Sequence, residues 1–325
     1  MNKFLVFLEQ REGVVKKASL SLWNRVQEIA ALQNNAVVSG ILIGPADIRQ
    51  LDGAMAGDGV LYHAKDDRYR LYSQEYYTGV IEDTFKREAC TALFFADTAM
   101  SRDLASRLSV RLQASLLSGS AASVAVEGGV LRPVYSGSFL ASFVPERHQC
   151  IFLLSSNAPL PACSAGGNIR LIDVEPQNVS MDDIFPVVRQ IVMRVGMPDV
   201  AEARIIVAGG RGMGGAEGFA LLEQLALLLG GAIGASRAAV DEGWRPHAEQ
   251  IGQTGKTVAP ALYFACGISG AVQHLAGMGS AGIVVAINRD RHAPIFDVAD
   301  YGLAGDVHIV LPKLIDSLKE FLKKQ

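Results

Sequence analysis

The sequence predicts an α/β protein of two domains, each a mostly parallel, doubly wound sheet with flanking helices. Three observations predict it. The 325 residues exceed what one ordinary core holds. Short apolar runs alternate with segments of helical spacing, the rhythm of a parallel sheet covered by crossover helices. Finally, 20 of the 33 glycines crowd into residues 196–325, so backbone that turns tightly or approaches a ligand closely is concentrated there.

In the N-terminal part, Lys3–Leu8 reads as a buried strand. Ser19–Leu32 carries Leu20, Trp23, Val26 and Ala30 at helical spacing. Ala36–Ile43 is a β-branched strand stopped by Gly44-Pro45, and Gly59–His63 is a short strand before a polar helix around Tyr69–Lys86. Ala92–Ala96 is a further strand and Asp103–Leu112 a helix, with Ser123–Glu127, Leu131–Tyr135 and Cys150–Leu154 as later strands. Residues 158–170 are rich in Pro, Gly and Ser and read as a surface loop. Ile184–Val195 is amphipathic and is broken by Gly196-Met197-Pro198. The domain junction and a candidate hinge fall there, giving domains 1–195 and 196–325.

Bulk properties exclude several classes. A net charge of -3 and no basic stripe argue against nucleic acid. Cys90, Cys150, Cys163 and Cys266 form no CxxC and no zinc spacing, which fits a reducing compartment. The N-terminal apolar run is only Phe4–Leu8, a strand and not a secretory leader, and no stretch approaches the ~20 apolar residues that span a bilayer. A cytoplasmic protein with no membrane insertion is expected. Asp47, Asp52 and Asp58 are conceivable metal ligands, but loop carboxylates are usually solvated, and no metal site is assigned. No nucleophile–base pair stands out, so no catalytic residue is assigned.

The C-terminal part is more informative. The strand Ala203–Ala208 runs into Gly209–Gly215, then into an apolar helix Ala216–Leu229. Residues 210–215 satisfy G-x-G-x-x-G, a pattern that suits a pyrophosphate when it joins strand to helix. A glycine turn without ligand is the alternative. An NAD site also wants an acidic residue at the end of the second strand, for the ribose. Here Ala232–Ala235 ends in Ser236-Arg237, a cation in place of the carboxylate. Gly255-Lys256-Thr257 matches the end of a P-loop, but Gln250 stands where its first glycine belongs and no strand leads in. Pro260–Cys266 is a third strand, ending in Gly267-Ile268-Ser269-Gly270 before a helix Ala271–Met278 that carries Gln273 and His274. A packed or surface histidine is the bland reading of His274; the glycine turn before it favours a functional one. Ile283–Ile287 is a fourth strand ending at Asn288, and Gly305-Asp306 leads into a strand Val307–Leu311 and a last amphipathic helix. Ligands of open α/β sheets bind at strand carboxyl ends. Two glycine turns at helix starts suggest an extended ligand, a dinucleotide, and a Rossmann-like C-terminal domain.

The segments GGRGMGGAEGF, GASRAAVDEGW, QIGQTGKTVAPALYFACGISGAVQHLAGM, IVVAINRD and APIFDVADYGLAGD closely resemble the α subunit of electron-transferring flavoproteins. The likeness is dense over residues 203–312 and weaker in the first domain, where RDLASRLSVRL and RPVYSGS carry it. The resemblance implies a heterodimer with a β subunit that the N-terminal domain contacts, and FAD held mainly by the C-terminal domain. It implies cofactor contacts from Arg211 and Ser236, Arg237 against the isoalloxazine, and Thr254 near its N5, within the loop Ile251, Gly252, Gln253. It further implies that Ser269, Gly270, Ala271, Val272, Gln273 and His274 meet the pyrophosphate and the flavin edge, with His274 near O2. Asn288, Asp306 and Val307 would hold the adenosine part. Positive charge and donors at the N1–O2 edge would raise the potential of the one-electron couple, and Arg237 and His274 would supply them. The implied activity is that of a carrier between flavin dehydrogenases, such as acyl-CoA dehydrogenases of fatty acid oxidation, and a quinone- or ferredoxin-linked acceptor. An electron-bifurcating, NADH-oxidising version is a second reading, and a redox-inactive nucleotide-binding structural subunit a third.

Overall fold

The computed structural model describes residues 2–33, 36–121, 124, 129–135, 139–155, 167–175, 188 and 198–323. The chain forms two compact units, Met1–Arg132 with Leu140–Val192, and Pro133–Phe139 with Met193–Gln325.

The elements of the first part run β1 (Lys3–Leu8), β2 (Gln10–Arg11), β3 (Val14–Val15), α1 (Lys17–Leu32), β4 (Val37–Ile43), β5 (Gly59–Ala64), α2 (Gln74–Arg87), β6 (Ala92–Ala96), α3 (Ala99–Arg111), β7 (Ser115–Ser120), β8 (Val130–Val134), β9 (Phe139–Phe143), β10 (Cys150–Ser155) and β11 (Ile169–Asp173). Seven strands form one sheet in the order β11-β5-β4-β1-β6-β10-β7, and every pair in it is parallel. β1 shows why the sheet is covered on both faces. Phe4, Val6 and Leu8 join the core beneath α1 with Trp23 and Val26, while Leu5 and Phe7 join the opposite core with Phe85 of α2 and Leu104 of α3. A strand buried on both sides reads as a continuous apolar run, as Phe4–Leu8 does.

The second part runs β12 (Ile205–Gly209), α4 (Phe219–Leu229), β13 (Ala232–Ala235), α5 (Arg237–Asp241), β14 (Leu262–Cys266), α6 (Val272–Met278), β15 (Ile283–Asn288), β16 (Tyr301–Ala304) and α7 (Val307–Leu322). Its five strands are ordered β13-β12-β14-β15-β16, again all parallel. The same alternation builds it. Tyr263 and Ala265 of β14 enter one core, Phe264 and Cys266 the other. From the adjacent pair β12–β14 the chain winds outward both ways, so the topological switch point lies at their carboxyl ends.

Several expectations are corrected. Val307–Leu311 is not a strand but the opening of α7; the fifth strand is Tyr301–Ala304. The β-branched run Val-His-Ile-Val looks extended, yet Val307, Leu311 and Ile315 are buried at helical spacing, and the Asp306 carboxylate accepts the His308 N–H at 2.8 Å to cap the helix. The helix expected from Ala216 starts at Phe219, because two short 3-10 helices, Arg211–Met213 and Ala216–Gly218, intervene. Ile169 and Arg170, expected in a loop, open β11. β7 was not anticipated, since Ser115–Ser120 (SLLSGS) lacks a β-branched signal. Of the expected strand Ser123–Glu127 only Val124 is described, bridging Val130, and most of the expected helix Ile184–Val195, with Gly196 and Met197, lies outside the described residues.

Candidate functional site at the switch point

All the site positions drawn from the sequence lie at one edge of the C-terminal sheet. The register makes the strand ends level: Gly209 pairs with Ala235 and Cys266, Cys266 with Ile287, and Asn288 with Ala304. Arg211, Ser236, Ser269 and Asp306 therefore follow strand ends that share one rim, and Asn288 is itself the last residue of β15.

The two glycine turns at the switch point are interlocked. Gly210 N–H donates to the Cys266 carbonyl and Gly212 N–H to the Gly267 carbonyl, each at 3.0 Å. A Cβ on Gly210 would sit 2.8 Å from Ile268 Cα, and one on Gly212 2.7 Å from Gly267 Cα. Gly210 and Gly212 are needed to pass backbone against backbone, whereas a Cβ on Gly215 would meet nothing within 4 Å. Close approach to a ligand is not required to explain Gly210 and Gly212.

The loop expected to reach the cofactor is tied at both ends. Ile251 N–H donates to the Ala235 carbonyl at 2.9 Å and Gln253 N–H to the Gln273 carbonyl at 2.8 Å. Inside it, the buried Gln250 amide donates to Thr254 Oγ at 2.9 Å. Gln250, the mismatch to the P-loop pattern, is thus a positioning side chain. Lys256 pairs with Asp199 at 2.7 Å.

The side chains divide into two groups. Ser236, Asn288 and Asp306 each make a hydrogen bond within the fold: Ser236 caps α5 through Ala239 N–H, Asn288 donates to the Ile268 carbonyl at 2.9 Å and accepts from Asp290 N–H at 3.0 Å, and the exposed Asp306 caps α7 through one carboxylate oxygen. Val307 is buried against the α4–α7 core. Arg211, Arg237, Gln253, Thr254, Ser269, Ala271, Val272 and Gln273 are exposed on the rim. Arg237 makes an exposed 3.3 Å pair with Asp241, an interaction of little worth in water. Gly252 and Gly270 are buried backbone turns.

His274 is buried in the first turn of α6. It is 6% exposed, and burial pushes its pKa down to about 4; the backbone of Ile251 favours the protonated ring too weakly to offset this. A pKa held this low leaves the ring of the chain by itself neutral at neutral pH, able to offer a hydrogen bond. Nε2 lies 2.9 Å from the Tyr263 hydroxyl, and Nδ1 is buried without a hydrogen-bond partner among the described residues. In the sequence Tyr263 is an ordinary strand residue, and no local pattern links it to a helix eleven positions on.

Among the described residues, no three His, Cys, Asp or Glu side chains gather as a metal site. Asp47 is engaged by Arg49 at 3.0 Å and Asp58 by Asn168 N–H at 2.9 Å. No helix among the described residues is long and apolar enough to cross a membrane.

A doubly wound parallel sheet with paired glycine turns at its switch point, exposed cations and amides around them, and a buried unpaired imidazole nitrogen is a dinucleotide-binding α/β domain. The donor set fits a flavin dinucleotide: Arg211 and Arg237 offer charge, Thr254 and Ser269 hydroxyls, and His274 Nδ1 a buried polar atom without a partner. The family described as "Electron transfer flavoprotein FAD-binding domain" matches residues 199–279, and "Electron transfer flavoprotein domain" matches residues 4–177. The chain is 38% identical to the electron transfer flavoprotein subunit alpha of Bacillus subtilis (strain 168), over 98% of each chain. It is 36% identical to that of Mycobacterium leprae (strain TN), over 98% of this chain and 99% of the relative. Protein FixB of Clostridium saccharobutylicum is 38% identical, over 98% of this chain and 97% of the relative. The chain belongs to the electron transfer flavoprotein α-subunit family, and its cofactor is FAD.

Proposed function

We propose that this chain, paired with a β subunit in the cytoplasm, carries electrons one at a time from flavin dehydrogenases, including acyl-CoA dehydrogenases of fatty acid oxidation, to a quinone- or ferredoxin-linked acceptor. Residues 1–195 contact the β subunit and residues 196–325 hold FAD. The observation that carries this reading is the rim of exposed polar side chains around the switch point in a member of this family. The bound flavin supplies the redox chemistry. The chain's own residues position and tune it: Arg211 and Ser269 take polar sections of the dinucleotide, Gln250 holds Thr254, and Arg237 sets positive charge beside the ring. Ser236 meets the cofactor, and Asn288 and Asp306 hold its adenosine part, each oriented by the hydrogen bond it makes within the fold.

Co-expression with the β subunit should give a yellow heterodimer with one FAD that NADH does not reduce. A colourless heterodimer refutes the carrier, and NADH reduction with a second flavin makes it a bifurcating protein. Arg237→Ala should lower the one-electron midpoint potential in a spectroelectrochemical titration. A unit charge at about 4 Å is worth roughly 1–4 kcal/mol between water and a protein surface, or about 40–170 mV for one electron. The lower end is expected, because Arg237 is exposed and shared with Asp241. An unchanged potential removes its assigned role.

A further inference from the structure

We infer that Tyr263 sets the tautomer of His274: its phenol donates to Nε2, so the neutral ring carries its proton on Nδ1. Tyr263 is fully buried in β14. Its hydroxyl lies 2.9 Å from His274 Nε2 and makes no other hydrogen bond among the described residues. The rings are tilted at 57° with centroids 6.2 Å apart, so the contact is through the polar atoms and not a stack.

Two proton arrangements satisfy that distance. With Nε2–H donating to the phenol oxygen, the phenol proton is stranded in the core and Nδ1 is a lone pair without a donor. With the phenol donating to Nε2, only an Nδ1–H remains to be satisfied. The second arrangement leaves fewer buried polar groups unpaired, and each such group costs about 1–3 kcal/mol. Tyr263 is therefore a positioning residue. It occupies the acceptor nitrogen, so that the site sees a neutral donor and no acceptor.

The significance of this rests on the proposed function, in which His274 belongs to the FAD site; the tautomer itself does not. Long-range proton–nitrogen correlation spectra of the full chain in complex with its β subunit, labelled in both histidine ring nitrogens, read it directly. The His274 signals are assigned by their loss in His274→Gln. We expect a pyrrole-type Nδ1 and a pyridine-type Nε2, with the Nδ1–H form in excess by about tenfold or more, a ratio equivalent to ~1.4 kcal/mol. Tyr263→Phe, nearly isosteric, should cut that ratio several-fold. A tyrosine that only fills space would leave it unchanged. A wild-type ring protonated on Nε2, or a ratio unmoved in Tyr263→Phe, overturns the inference. If the phenylalanine variant does not assemble, the wild-type spectrum decides alone. Failure of the electron-carrier reading shows separately, as missing flavin in the visible spectrum of the same sample.

Discussion

Gly270→Ala is expected to destabilise the C-terminal unit by about 2–5 kcal/mol and to release its flavin at lower temperature. Two causes add. Gly270 has φ +86°, where an L side chain costs roughly 1–2 kcal/mol. A Cβ there would also overlap the Ile295 backbone nitrogen and lie 2.6 Å from Ile295 Cα. Overpacking of this kind costs about 1–3 kcal/mol. Ile295 cannot yield, because its side chain is fully buried in the core with Tyr263 and its N–H donates to the Ser269 carbonyl. Gly243→Ala is the control: φ is +73°, but nothing lies within 4 Å of the added atom. Calorimetry of both variants as heterodimers separates strain from collision. Equal losses would mean that the collision is absorbed.

Acidification should weaken the same unit through His274. Unfolded, its pKa is the ordinary 6.5; folded, burial holds it at about 4. Between these values the unfolded chain binds a proton that the folded chain refuses, so stability falls as pH falls. The contribution is fully present above about 6.5, declines through the window, and levels off below about 4, for a total of roughly 3 kcal/mol. Urea midpoints from pH 7 to 4 for the wild type and for His274→Gln isolate it, since carboxylates titrate in both. The variant should show a flatter slope. Parallel curves would place the imidazole in water.

How legible this was from residue order follows from the physics of each element. Ala92–Ala96 and Ala232–Ala235 have the boundaries expected of them, because a strand buried on both faces is a short apolar run bounded by polar or turn residues. The rim was legible for the same reason, as the polar or glycine residue after each such run. Ser115–Ser120 was hidden by its serines and glycine, and Val307–Leu311 by β-branched residues whose helical period emerges only with Ile315. Side-chain direction was not legible at all. Nothing in the order of residues says that the Asn288 amide turns inward to the Ile268 carbonyl, or that Tyr263 reaches His274 from another element.

The interlocked turns also bear on how such sequences drift. Gly210, Gly212 and Gly267 exclude side chains from one another whether or not FAD is bound. A descendant that lost its cofactor would still be held to these three glycines by its own folding. Arg237 and Gln273 are exposed on the rim, and their side chains would be free to wander. If Arg237 and Gln273 meet the flavin as proposed, retention of those two side chains, and not of Gly210, Gly212 and Gly267, is the mark by which a diverged copy that still works can be told from a relic.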